Sequence, residues 1–285
     1  MTKKKFIYAT TGVAVVIILL ITFFVILPLL HPPTVALSQY PFFKLVKVSN
    51  INYSRNGSVQ VYFISWYGCP LGATDSWGLY IALSKYCILN VTPNYSDLET
   101  VPMSPNSTFT GKTPGLLFVS CEPKSNVIFH FIYLLGRAYI SNSTATLSNG
   151  TIIKYSGDSL VTFELNELKN LAPIWVYNLV YKYQAKTPFR SGTPIAYYFK
   201  NFPHIVSAII TTRPNGTWMM LGYDQQINYR APELLTQYAS EHKYNISVPI
   251  TLLNDINSGK PLPSTLNFIY KEASLFSATV QEAMG

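Results

Sequence analysis

The sequence has few charged residues and lacks the motifs that identify common enzyme classes. Charged residues make up 12% of the 285-residue chain, and only 13 residues are acidic. No His-Glu-x-x-His motif and no cysteine–histidine cluster with zinc spacing occurs, so the usual zinc sites are not indicated. A glycine-rich phosphate loop and a Gly-x-Ser-x-Gly elbow are also missing, which argues against nucleotide-binding enzymes and α/β-hydrolases. The sequence predicts no metal and no cofactor.

Basic residues outnumber acidic ones, but they form no cluster that favours nucleic-acid binding. Apart from Lys3, Lys4 and Lys5, 18 basic and 13 acidic residues remain, and they are scattered along the chain. Scattered charges solvate a surface, whereas nucleic-acid binding uses a basic patch. We therefore expect no nucleic-acid partner. The small number of carboxylates also suits a protein that faces acid, as in an acid-living archaeon.

One long hydrophobic segment is present, at residues 6–30, and it contains no charged residue. About 20 apolar residues cross a bilayer as a helix, and Lys3 to Lys5 directly before the segment favour a cytoplasmic N-terminus. A cleaved signal peptide or a pilin-like assembly helix are alternatives, although a signal-peptide core is typically ~7–15 residues long. We predict a cytoplasmic tail at 1–5, a membrane anchor at 6–30 that contacts lipid, a linker at 31–42 and an extracytoplasmic domain at 43–285.

Glycosylation acceptors support an exterior location for the domain. The pattern Asn-x-Ser/Thr occurs only after the hydrophobic segment. Such acceptors indicate surface positions of an exported protein, although a surface rich in Ser, Thr and Asn could account for some of them. The predicted acceptors are Asn52, Asn56, Asn90, Asn94, Asn106, Asn142, Asn149, Asn215 and Asn245.

Hydrophobic periodicity and turn residues predict a mixed α/β domain. Strands are expected at 43–48, 59–65, 115–120, 127–135, 151–155 and 160–165, followed by a hairpin of 204–212 with 217–223. Helices are expected at 74–87, 164–183 with a break at Pro173, 231–242 and 266–283. Residues 90–113 are expected to be a loop, and 245–265 to be irregular.

The segment that suggests chemistry is Trp66-x-Gly68-Cys69-Pro70-x-Gly72, between a predicted strand and a predicted helix. It places one thiol at a helix N-terminus, where unpaired backbone N–H groups and the helix dipole favour a thiolate. Pro70 suits the first helical turn because it has no N–H to leave unpaired. Asp75, one turn further on, is a candidate for tuning this site, with a solvated helix carboxylate as the alternative.

This segment resembles the active-site region of the thioredoxin superfamily, in which Cys-x-x-Cys joins a central strand to a helix, often after a Trp. The resemblance covers 59–87 and the hairpin and helix at 203–242, so 88–190 would be a β-rich insertion. It implies a thioredoxin-like α/β fold with a cis-proline beside the cysteine, for which Pro203 and Pro114 are the candidates. Gly72 occupies the position of the resolving cysteine.

Without a resolving cysteine, two functions stay open. The first is a binding or structural module of the cell envelope on a degenerate scaffold, whose partner would be an envelope protein. The second is a single-cysteine thiol–disulfide oxidoreductase in which Cys69 attacks a disulfide and an external thiol releases it. The enzyme would need an exposed, activated Cys69, and the module would have a buried one.

The whole chain also resembles the family of anchored Sulfolobales proteins called domain of unknown function 929, through Trp66 to Trp77 and Thr113 to Phe118. If Pro114 lies beside Cys69, as the superfamily resemblance allows, the following strand and the helix run away from the site together. Fourteen helical residues and seven strand residues span similar lengths, about 21–25 Å. Cys87 and Cys121 would then meet in a disulfide, with Cys69 keeping its thiol. Two buried thiols at 87 and 121 are the alternative.

Overall fold

A computed structural model describes residues 40–54, 57–97, 99–104, 107–135, 139–141, 144–146, 150–154, 159–198 and 203–281. The predicted anchor at 6–30 and most of the linker at 31–42 lie outside these residues. In the part of the chain that is described, no helix is both long enough and apolar enough to cross a membrane. Residues from Pro41 onward form one compact unit.

The elements of this unit are given in chain order. The strands are β1 (Val46–Ser49), β2 (Val59–Ser65), β3 (Cys87–Tyr95), β4 (Glu99–Ser104), β5 (Ser107–Gly111), β6 (Pro114–Pro123), β7 (Val127–Tyr133), β8 (Tyr139–Ser141), β9 (Thr144–Thr146), β10 (Ile152–Lys154), β11 (Ala208–Arg213) and β12 (Gly216–Leu221). The helices are α1 (Pro70–Leu83), α2 (Ser159–Leu171), α3 (Ile174–Val180), which continues as a π-helical turn at Tyr181–Lys186, α4 (Gln225–Asn228), α5 (Ala231–Glu241), α6 (Ser247–Asn257) and α7 (Phe268–Gln281).

A mixed five-stranded sheet with the order β1-β12-β11-β2-β7 forms the centre of the domain. Strands β2 and β7 are parallel, from Val59 opposite Val127 to Ser65 opposite Tyr133. The other neighbouring pairs are antiparallel. The apolar sequence of β2 fits this central place, because such a strand is buried on both faces.

Helices α1 and α7 cover one face of the sheet. The side chains of Val59, Val61 and Phe63 point to this face and form one buried cluster with Leu79 of α1 and Phe276 of α7. Burying a side chain of this size contributes about 1.5–3 kcal/mol. On the opposite face, the Tyr62 ring meets the Trp175 ring of α3 edge-on, with centroids 5.2 Å apart. The domain therefore has helices on both sides of its sheet.

Strands β3 and β6 pair as an antiparallel ribbon that packs beside α1. Smaller pairings join β4 to β5 and order the short strands as β10-β9-β8. Strand β7, which falls within the segment 88–190 predicted as an insertion, is part of the central sheet. The mixed α/β fold class is confirmed.

Four sequence-based expectations about elements are wrong. Residues 90–113 are not a loop but contain β3, β4 and β5, whose polar, Thr-rich sequence gives little hydrophobic signal. The apolar residues at 160–165 belong to helix α2 and not to a strand, since a short apolar segment fits both structures. The helix expected to extend to Cys87 ends at Leu83, and Cys87 is the first residue of β3. Residues 247–257 form α6 with Pro249 in its first turn, a position that tolerates proline.

Candidate functional site around Cys69

The turn that follows β2 places Cys69 at the start of α1. The Cys69 N–H donates to the Trp66 carbonyl at 3.1 Å, and the helix begins at Pro70. Cys69 is the N-cap: its Sγ accepts a hydrogen bond from the Gly72 N–H at 3.3 Å. Sulfur thus takes the role that a Ser or Asp oxygen usually has at this position. The Cys69 side chain is only 2% exposed.

Gly72 occupies a place with no room for a side chain. A Cβ at residue 72 would overlap the Ser65 hydroxyl and lie 3.0 Å from Ser65 Cβ. Ser65 is the last residue of β2, so this is where the helix crosses the end of the central sheet. The position that would carry a resolving cysteine is filled by the strand beneath it.

Residues 94–97, which are the last two residues of β3 and the two that follow it, contact the turn that precedes Cys69. The Asp97 N–H donates to the Gly68 carbonyl at 3.1 Å, and the Asn94 amide donates to the Tyr67 carbonyl at 3.2 Å. A Cβ on Gly68 would overlap Asp97 Oδ2, so the two segments are in close contact. We call residues 94–97 the strap. It contacts the two residues directly before Cys69.

The strap is held in turn by Thr113, just before β6. The Ser96 and Thr113 backbones are joined by a hydrogen bond of 2.8 Å, and the Ser96 hydroxyl accepts from the Thr113 N–H at 2.8 Å. The Thr113 hydroxyl is also 2.9 Å from the Thr236 hydroxyl of α5. All these groups are buried or nearly so, and such satisfied buried hydrogen bonds resist opening.

The first residues of β6 cross α1 at close range. The Trp77 indole N–H donates to the Pro114 carbonyl at 2.9 Å, and the Ser76 hydroxyl accepts from the Leu116 N–H at 2.8 Å. A Cβ on Gly115 would lie 2.6 Å from Ala73 Cα. The start of β6 thus lies beside the first turns of α1. This placement is the one expected if Pro114, rather than Pro203, is the proline near Cys69.

Neither proline candidate is seen as a cis-proline. In the described part of the chain there is no cis peptide bond, so the Thr113–Pro114 bond is trans, and Pro114 simply begins a strand. Pro203 is buried, but Phe202 lies outside the described residues, and the bond between them is not described. The segment after Pro203 does approach α1, since the Ser207 hydroxyl donates to Asp75 Oδ2 at 3.5 Å.

A small recess lies against Cys69. It is lined by Ser65, Tyr67, Asn94 and Tyr133, among others, and has a cavity volume of about 10 Å³. That volume holds about one water molecule. The recess is therefore too small to enclose an ordinary metabolite.

A pair of buried carboxyl groups lies behind the site, and no local sequence pattern indicates it. Asp75 of α1 is fully buried, and Glu272 of α7 is 3% exposed, so the expectation of a solvated Asp75 is wrong. Glu272 reaches Asp75 by passing over Gly78, where a Cβ would lie 2.8 Å from Glu272 Cγ. Asp75 Oδ1 and Glu272 Oε2 have no partner if both groups are ionised, whereas a proton between the carboxyls supplies a hydrogen bond.

Burial raises the pKa of both carboxyl groups. The pKa of Asp75 lies well above its usual value, first because of burial and then because of Glu272. Burial also raises the pKa of Glu272 from 4.5 to about 8, and nearby Asp224 acts in the same direction. Burial therefore favours the protonated form of both groups, and Glu272 keeps its proton at neutral pH. Among the described residues, no group of three His, Cys, Asp or Glu side chains could hold a metal ion.

Cys87 and Cys121 form a disulfide, the pair named in the sequence analysis. It joins the first residue of β3 to β6, where Leu89 is the register partner of Cys121. Cys69, the remaining one of the three cysteines, is outside this bond and keeps its thiol.

The predicted glycosylation acceptors differ in their surroundings. Asn90, Asn215 and Asn245 are exposed, whereas Asn94 is half-buried and its amide is engaged in the strap. Asn52 is half-buried and accepts from the Ser54 hydroxyl. The other four, Asn56, Asn106, Asn142 and Asn149, lie outside the described residues.

Comparison with known proteins assigns the chain to a family without adding a biochemical activity. No curated protein and no solved structure matches the chain. Residues 44–282, which include every strand and helix given above, match the family described as "Domain of unknown function (DUF929)". This confirms the second resemblance seen in the sequence: the chain belongs to the DUF929 family.

Proposed function

We propose that this protein is a membrane-anchored, extracytoplasmic binding or structural module built on a degenerate thioredoxin-like scaffold. The observation that carries the proposal is the state of Cys69. Its thiol is 2% exposed and caps α1, while the resolving position is a glycine packed against Ser65. A thiol–disulfide enzyme needs an accessible thiolate. This thiol is better placed to stabilise a helix terminus than to react.

The order of elements supports the thioredoxin-like part of the proposal. Strand β2 leads into α1, β7 lies parallel to β2, and the β11–β12 hairpin completes one side of the sheet. A strand that leads into the Cys69 helix and an antiparallel hairpin beside that strand are elements that the superfamily resemblance implies. The helix that packs with α1 on the sheet is α7, whereas the resemblance assigned the final helix to 231–242. Because one fold carries many functions, this likeness does not by itself imply redox chemistry.

The anchoring part of the proposal depends on the sequence. Residues 6–30 are long enough and apolar enough to span a bilayer, and Lys3 to Lys5 favour an inside N-terminus. The disulfide between Cys87 and Cys121 fits an oxidising exterior, where such bonds persist. The exposed acceptors Asn90, Asn215 and Asn245 fit the same side of the membrane.

The test compares the full-length chain with a Cys69→Ser variant in cells. Serine keeps an N-cap acceptor but forms no disulfide, so the substitution separates capping from redox chemistry. Cells are quenched with acid, alkylated and analysed on non-reducing gels, and a parallel sample is treated with an amine crosslinker. A module gives the same crosslinked partners in both chains and no disulfide-linked adduct. Adducts that form with the wild type and vanish in Cys69→Ser would contradict the proposal.

A second candidate is a single-cysteine thiol–disulfide oxidoreductase, favoured by the Gly72 N–H that donates to Cys69 Sγ. A hydrogen bond to sulfur at a helix N-terminus stabilises a thiolate. In this reaction the Cys69 thiolate attacks a substrate disulfide and forms a mixed disulfide, releasing one substrate thiolate. An external thiolate then attacks the mixed disulfide and regenerates Cys69. Because Cys69 is buried, this activity requires the residues that surround it to move first.

A further inference from the structure

The edge of the sheet that carries Cys69 is also the edge where the chain joins the domain. Strand β2 ends there at Ser65, and β11 begins there, with Ala208 opposite Ile64. Strand β12 runs parallel to β2 and ends there at Leu221. The Leu221 N–H bonds to the Pro41 carbonyl, and the Phe43 N–H donates to the Leu221 carbonyl at 2.8 Å.

An aromatic group with a cation lies at this junction. The Phe42 ring is 4.3 Å from the Phe189 ring, which is 5.4 Å from the Tyr198 ring. The guanidinium of the exposed Arg190 lies 5.2 Å from the Phe189 ring centroid. The three rings are only half-buried. Aromatic rings next to Arg or Lys are the side chains that favour the headgroup layer of a membrane.

A fourth aromatic side chain belongs to residues 224–230, which also contact the joining segment. The Phe43 carbonyl accepts from the Gln225 N–H at 3.1 Å, which ties residues 224–230 to the joining segment. Within them, Tyr229 is 67% exposed, and Arg230 pairs with Glu233 at 2.6 Å. We call Phe42, Phe189, Arg190, Tyr198 and Tyr229 the anchor-side surface.

The length of the linker restricts what can cover this surface. The proposed anchor ends near Leu30, and the domain begins at Pro41. The ten residues between them reach at most about 33–36 Å when fully extended. The linker joins the domain at the anchor-side surface, so this surface lies within that reach of the end of the proposed anchor.

We infer that the anchor-side surface rests on the lipid headgroup layer of the membrane that the anchor crosses. The inference depends on the anchoring in the proposed function. Arg190 binds lipid phosphates, and the surrounding rings lie at the level of the headgroups. The Cys69 edge of the sheet then faces the membrane, so a partner approaching from outside meets the opposite edge.

The experiment uses the full-length chain in lipid nanodiscs and hydrogen–deuterium exchange. Discs of zwitterionic lipid are compared with discs that contain anionic lipid, at low salt. Exchange at 186–198 is expected to be about fivefold slower in the anionic discs, the effect of one Arg at a charged surface. The turn at 123–127 lies at the opposite edge of the sheet, next to the start of β2, and its exchange should be equal in both discs.

Two matched variants complete the experiment. Arg190→Gln should abolish the difference at 186–198, whereas Lys124→Gln, which also removes one exposed charge, should preserve it. Equal exchange at 186–198 in both discs, with the protein still in the discs, would overturn the inference alone. A chain that does not co-elute with discs at all would overturn both the inference and the anchoring it depends on.

Discussion

The buried carboxyl pair of Asp75 and Glu272 should make the stability of the domain fall as the pH rises. Burial raises the pKa of Glu272 from 4.5 to about 8, and the pKa of Asp75 moves in the same direction. A group whose pKa is raised by folding contributes its full stabilisation below its unfolded-state pKa. That contribution is lost as the pH rises to the folded-state pKa. For Glu272 the window therefore runs from about pH 4.5 to about 8.

The size of the effect follows from the shift. Each pKa unit corresponds to about 1.4 kcal/mol, so a rise from 4.5 to about 8 corresponds to roughly 5 kcal/mol. The free energy of unfolding of a natural domain is about 5–15 kcal/mol. The ionisation of Glu272 would thus remove a large fraction of it, because the charge would form beside Asp75 without water.

The assay is denaturant unfolding of the compact unit, residues 41–285, at pH 5 and pH 8. The wild type should lose several kcal/mol between the two pH values, and Glu272→Gln should lose less, because only Asp75 of the pair can still ionise. The double variant Asp75→Asn/Glu272→Gln should be the least pH-dependent. Glu241→Gln, which changes an exposed carboxyl, is the control and should behave like the wild type. Equal wild-type stability at both pH values, or a full loss in Glu272→Gln, would refute the reasoning.

Three further predictions concern packing, the disulfide and glycosylation. Gly115→Ala should cost about 1–3 kcal/mol of stability, because the new Cβ would meet Ala73 backbone atoms that cannot rotate away; unchanged denaturant midpoints would show that β6 shifts freely. Cys87→Ser removes a disulfide between residues 34 apart and should lower the free energy of unfolding by about 4 kcal/mol relative to the oxidised wild type. Under reducing conditions the wild type and the variant should be equally stable, and a difference that persists there would not come from the disulfide. Glycopeptide mass mapping should find a glycan on Asn90 but none on Asn94, whose amide bonds the Tyr67 carbonyl, and a glycan on Asn94 would mean that the strap opens.

Much of the central sheet could be predicted from the sequence, because its strands are strongly apolar. Strand β2 has the predicted bounds Val59–Ser65, and β7 lies within the predicted 127–135. The turn of the β11–β12 hairpin could be predicted at Pro214-Asn215-Gly216, because proline, asparagine and glycine favour the backbone conformations of turns. The ribbon of β3 and β6 was harder to predict over its first half, since Asn90 and Thr92 face solvent and give little hydrophobic signal.

The candidate site was predicted only in part. The sequence identified Cys69 as the residue at the helix N-terminus, because a strand, a turn and Pro70 define that place. Its burial depends on residues distant in the sequence, such as Leu116 and Tyr223 of the same buried cluster, and the neighbouring strap was expected to be a loop. The Asp75–Glu272 pair could not be foreseen either, since it requires α1 and α7 to pack together over Gly78. Long-range packing of this kind leaves no local pattern in the sequence.

The measurement that tests the central claim most directly is alkylation of the folded protein with a maleimide, read out by peptide mass mapping. The account predicts that Cys69 stays unmodified in the native state and becomes modified only when the domain is unfolded, since its thiol is 2% exposed. Rapid modification of Cys69 in the folded protein would contradict the account and favour the single-cysteine oxidoreductase.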